Sequence, residues 1–76
     1  MNNTRRKEIQ DVLNELADLR SRVDTLHGEE QEAYDNMPES LQQSERGQAA
    51  ENAASGVGNA LSAFDAVASS LNAATA

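Results

Sequence analysis

The chain has 76 residues, a formal charge of −7 from thirteen acidic and six Lys or Arg side chains, and no cysteine. So short a chain holds one domain with little interior, and the lack of cysteine excludes disulfides and thiolate-zinc sites. The acidity disfavours direct binding of nucleic acid or anionic lipid and favours basic protein surfaces, leaving Arg5, Arg6 and Lys7 a weak local contact at most.

The first predicted element is a long helix. From Ile9 the apolar residues fall at alternating steps of three and four, at Ile9, Val12, Leu16, Leu19, Val23 and Leu26, and the phase continues through Glu30, Ala33 and Met37. That is a heptad repeat with a at 9, 16, 23, 30 and 37. The b, c and f positions are polar, with Ala17 and Gly28 as the exceptions. The helix is expected over about 4–36, capped by Asn3 or Thr4 and stopped because Pro38 disfavours helical backbone at Met37. Gly28 costs ~1 kcal/mol relative to alanine inside a helix, but the heptad phase is preserved across it, which argues for one continuous element. Glu30, at an a position, reads as a polar layer: buried, it would need a partner such as Tyr34 or Arg46, and otherwise it marks where the seam splays open.

A corner follows at 37–44, where Pro38 suits the start of a short helical turn. Ser44 then caps a second helix, 45–74, with Glu45 favourably placed at the positive end of the helix dipole and Gly47 weakening the first turn slightly. Its apolar face runs through Ala50, Ala54, Val57, Leu61, Phe64, Ala68 and Leu71, flanked by Ala53, Ala60, Val67 and Ala74. A row of small residues, Ala54, Gly58, Ser62, Ala66 and Ser70, offers close approach to another helix. The fold class predicted is all-α: a coiled-coil-like, antiparallel two-helix hairpin. Alone it would leave half of each stripe wet, so the prediction extends to a dimeric or higher bundle held by Ile9, Val12, Leu16, Leu19, Val23, Leu26, Val57, Leu61, Phe64 and Leu71.

Charge is concentrated in the middle of the chain. Residues 1–28 carry five basic and five acidic groups, whereas 29–46 carry Glu29, Glu30, Glu32, Asp35, Glu39 and Glu45 against Arg46 alone. Folding gives little reason to gather like charges at a turn, so Glu29, Glu32, Asp35, Glu39 and Glu45 read as a contact surface; Tyr34, at the e position beside them, has two readings, a seam-edge side chain used in packing and an anchor for the partner. Catalysis is not expected. Asp24 and His27 have the i, i+3 spacing of a bundle metal site, but fall at b and e, so a flanking surface histidine is the reading and no metal or cofactor is expected. No serine has a histidine partner, and Gly56-Val57-Gly58 lies inside helical periodicity.

The segment from Glu29 to Gly47, EEQEAYDNMPESLQQSERG, resembles a group of small acidic helical proteins encoded by tailed bacteriophages and prophages. In these a heptad-bearing helix, an acidic segment, an S-E-R-G motif and a second helix follow in the same order. The chain departs from the group after Gly47, where an Ala, Gly and Ser-rich helix replaces a more charged one. The resemblance implies a phage setting in a bacterial cytoplasm and no particular mechanism. The expected function is therefore a phage-type accessory protein that self-associates, most simply as a dimer, and binds a host or phage protein with a basic surface, as an inhibitor in one version. The alternatives are a purely structural oligomerisation module and a nucleic-acid mimic acting on a DNA-binding host protein. No membrane partner is expected, since no apolar run approaches the ~20 residues of a span, and Glu8, Gln10 and Asp11 interrupt any signal-peptide pattern.

Overall fold

A computed structural model describes all of residues 1–76. The chain is all-helical and without strands: α1 (Asn3–Asp35), α2 (Glu39–Gln42) and α3 (Glu45–Thr75). Its extents, 58 × 16 × 13 Å, describe a rod. The long dimension is set by α1, whose 33 residues span about 50 Å at ~1.5 Å each. No helix is long and apolar enough to cross a membrane.

The cap of α1 is Asn2, one residue ahead of the Asn3 or Thr4 expected from sequence. Its side-chain oxygen accepts from the Arg5 N–H at 2.8 Å. Three successive short polar side chains can each cap, and using the first gives the longest helix. The helix passes through Gly28 with no residue of the chain at positive φ. It closes where the Asn36 N–H donates to the Glu32 carbonyl at 2.9 Å and the Met37 N–H to the Tyr34 carbonyl at 3.1 Å.

At the corner, the Pro38 carbonyl accepts from Leu41 and Gln42, at 2.8 and 3.0 Å. The Gln42 side-chain amide donates to the Tyr34 carbonyl at 3.0 Å, tying α2 to the end of α1. Ser44 caps α3 by accepting from the Gly47 N–H at 3.4 Å. Gly47 is buried, and a Cβ there would overlap the backbone carbonyl oxygens of Leu41 and Gln42. The expectation that Gly47 merely weakens this turn therefore misses its part: only glycine lets α3 begin this close to α2.

Contacts between α1 and α3 run in opposite senses along the chain. Arg20 pairs with Asp65, and the His27 ring lies nearest a side chain built at Gly58. From α3, Ala54 is buried and Ala50, Val57, Leu61, Phe64, Ala68 and Leu71 are half-buried. From α1, the half-buried residues are Ile9, Leu16, Val23 and Glu30 of the a row with Leu13, Arg20, His27 and Tyr34 of the e row. The d row is left out: Val12, Leu19 and Leu26 are 44, 45 and 52% exposed. The geometry accounts for this, because at 100° per residue e lies about 40° to one side of a and d about 60° to the other, and one neighbouring helix covers only one side.

The structure places two further features of the sequence. The row Ala54, Gly58, Ser62, Ala66 and Ser70 does not stay on the contact face; Ser62, Ala66 and Ser70 are exposed. Each step of four overshoots a full turn by about 40°, so the row winds away from α1. Glu30 is half-buried but pairs with neither Tyr34 nor Arg46; the ion pair of the structure is Arg20–Asp65.

Candidate interaction surfaces

Five of the acidic residues singled out from sequence, Glu29, Glu32, Asp35, Glu39 and Glu45, are exposed. Glu32 and Asp35 occupy c and f positions on the side of α1 turned away from α3, with Glu29 at the neighbouring g. Glu39 opens α2 and Glu45 opens α3, each in a first turn where the helix dipole favours a carboxylate. Asp35 accepts from the Gln31 side-chain amide at 3.1 Å; none of the five is in an ion pair. Their charge is thus turned to solvent. Tyr34 is placed differently. It is half-buried in the e row that faces α3, so the side chain expected to anchor a partner belongs in part to the packing of the two helices.

The second surface comes from the two edges of the α1–α3 contact. One edge is polar. Arg20 Nε donates to Asp65 Oδ1 at 2.8 Å and Arg20 Nη2 to Asp65 Oδ2 at 3.3 Å, a two-point pair open to water. Those hydrogen bonds hold the Asp65 carboxyl below its ordinary range, against a smaller opposing effect of desolvation, and they raise the Arg20 guanidinium. A shallow depression of about 120 Å³ on this edge is lined by Leu13, Leu16, Ala17, Arg20, Phe64, Asp65 and Ala68.

The other edge is apolar throughout. It consists of the d row of α1 (Val12, Leu19, Leu26, Ala33) and the row Ala53, Ala60, Val67, Ala74 of α3. On its α3 side is an open depression of about 270 Å³ lined by Leu16 of the a row and by Ala60, Ala63, Phe64 and Val67, all hydrophobic. Of the six large apolar side chains left exposed in the molecule, Val12, Leu19, Leu26 and Val67 lie on this edge; the other two are Met1, ahead of α1, and Leu41 in α2. A row of well-exposed large side chains aligned at heptad spacing is more than the scattered single exposures normal for a protein surface.

Sequence reasoning missed Leu13 and the partnership of Arg20 with Asp65. The signal was present, since Leu13, Arg20, His27 and Tyr34 repeat every seventh residue beside the a row. No cluster of His, Cys, Asp or Glu side chains is arranged to hold a metal ion, and Asp24 is exposed while His27 faces α3. No protein-family model, curated protein or solved structure matches the chain.

Proposed function

We propose that this chain works by association and not by catalysis. The antiparallel hairpin of α1 and α3 is the assembling unit, and the assembled bundle offers its acidic corner to a host or phage protein with a basic surface. The observation that carries this reading is the imbalance of burial: Ala54, at 5% exposure, is the one buried apolar residue, while a continuous apolar edge faces water. Such a chain gains most of its stabilisation from contacts it does not make alone. The corner adds the second half, because its exposed, unpaired carboxylates form a field that steers basic surfaces at low salt. Covering a basic working surface in this way inhibits the protein that carries it.

Two measurements test the halves separately. Sedimentation equilibrium over a wide concentration range should give a mass above that of one chain; a monomer with a cooperative melt removes self-association. Capture of basic proteins from infected and uninfected host cells should weaken with salt, on the ~10 Å screening length of 0.1 M electrolyte. The triple variant Glu32→Gln, Asp35→Asn, Glu39→Gln should lose the salt-dependent part while keeping its helicity and mass. Unchanged capture by that variant at low salt removes the corner from the reading.

A further inference from the structure

We infer that the apolar edge formed by Val12, Leu19, Leu26 and Val67 is the seat of a second copy of this chain, related by a two-fold axis perpendicular to the helices. The inference rests on the self-association proposed above and adds the surface and the orientation.

Area points to a whole partner and not a small ligand. The chain exposes 5497 Å², about 1,000 Å² more than the ~4,500 Å² of a compact monomer of 8.1 kDa. That excess is close to the ~800 Å² each partner contributes to an interface of standard size. The edge also extends along both long helices, as a side-by-side neighbour of equal length requires.

Symmetry and charge select the copy and its direction. With the axis at Leu19, α1 lies antiparallel on α1 of the second copy: Leu19 meets Leu19, and Val12 meets Leu26. On the other helix Val67 meets Val67 and Ala60 meets Ala74, so one register serves both contacts. In the g row beside the seam, Glu15 comes level with Arg22 of the second copy, and by symmetry this opposite-charge pair forms twice. Glu8 comes level with Glu29 of the second copy, and Arg5, one turn away in the d row, lies close enough to offset that like pair. At larger scale the basic turn of Arg5, Arg6 and Lys7 sits over the acidic end of the neighbour. A two-fold axis parallel to the helices would instead place both acidic ends together and both basic ends together, which is repulsive twice over. In the inferred dimer the two acidic corners stand at opposite ends of the rod, so each is free to take its own partner.

The test uses the full chain. Leu19→Lys, at a position exposed in the single helix pair, should raise the dimer dissociation constant by at least about a hundredfold, because it sets two ammonium groups against each other. Glu15→Arg should weaken the dimer about tenfold, and adding Arg22→Glu should restore it; loss of folding cannot produce that rescue. For direction, the chain has no cysteine, so Ser40→Cys can carry one spin label per copy. The labels should lie apart by roughly the 58 Å length of the molecule. A separation of about two helix diameters, ~20 Å, overturns the orientation. A dimer that tolerates Leu19→Lys unchanged overturns the surface while leaving self-association standing, and a monomeric wild type overturns both.

Discussion

The two edges of the α1–α3 contact are built by the same pair of helices in the same register, yet one is finished and the other is not. On the finished edge the α3 row is Glu51, Gly58, Asp65 and Asn72; on the open edge it is Ala53, Ala60, Val67 and Ala74, two residues further along at each repeat. Asp65 gives Arg20 a partner, and the missing side chain at Gly58 makes room for the His27 ring. Polar groups there are content in water. On the open edge nothing polar meets the d row of α1. The difference shows that a heptad helix with apolar a and d positions has two sides to offer, and that the polarity of one row on its neighbour decides which side is used within the chain and which is left over.

The comparison is broken most severely at the residues that both edges share. Leu16 and Phe64 line the depression on each side. Phe64→Ala or Leu16→Ala should join the two, at a cost of about 2–4 kcal/mol per chain, below the limit for fully buried side chains because both are half-exposed. Thermal or urea unfolding followed by circular dichroism measures it. A loss under ~1 kcal/mol at both positions would mean that neither edge depends on this ridge.

Next in size is Gly47→Ala, which acts on the corner that sets the register of both edges. The added Cβ meets backbone carbonyls, which cannot swing aside as a flexible side chain can, so α2 or the start of α3 must shift. A loss of about 1–3 kcal/mol is expected, the range for overpacking, whereas helix propensity alone predicts a gain. The sign of the change in melting temperature therefore separates the two views. Gly28→Ala is the contrasting case: it lies off both edges, and a Cβ there meets nothing within 4 Å. It should stabilise by roughly 0.5–1 kcal/mol through propensity and lower unfolded-state entropy. A destabilised Gly28→Ala would imply that the exposed face of α1 is covered by a partner.

Much of this was readable before the structure, and what was not has physical causes. The heptad phase through Gly28, Pro38 as a stop and Ser44 as a cap are local signals, and the all-helical character follows from them. Which of d or e faces α3 is not local. It depends on Gly58 and Asp65, more than thirty residues away from their counterparts His27 and Arg20. Gly47 misleads for a similar reason: its close neighbours, Leu41 and Gln42, belong to another helix, and propensity counts only the residue itself. The acidic corner was legible as composition, and packing was the usual reading of a tyrosine at the seam edge such as Tyr34; that the whole e row turns inward was not legible, because an e position faces outward in a strict a/d seam.

The smallest expected effect tests the finished edge directly. Asp65→Asn removes the anionic partner of Arg20 with little change in shape. Both side chains are open to water, at 40 and 61% exposure, so the melting temperature should fall only slightly, well below the change at Phe64. The pH dependence identifies the cause. Asp65 has its folded-state acidity shifted below the ordinary carboxylate value, first by the hydrogen bonds from Arg20. Its contribution is then fully present above the unfolded-state value near ~3.9 and is lost as the pH falls through the lower folded-state value. The small gap in melting temperature between wild type and Asp65→Asn should therefore be constant from neutral pH down to about 5 and close on further acidification. Raising the salt at neutral pH should narrow it as well. If the gap persists unchanged in acid and in high salt, the carboxylate's charge is not its cause, and the two-point hydrogen bonding between Arg20 and Asp65, not their ionic attraction, is what finishes this edge.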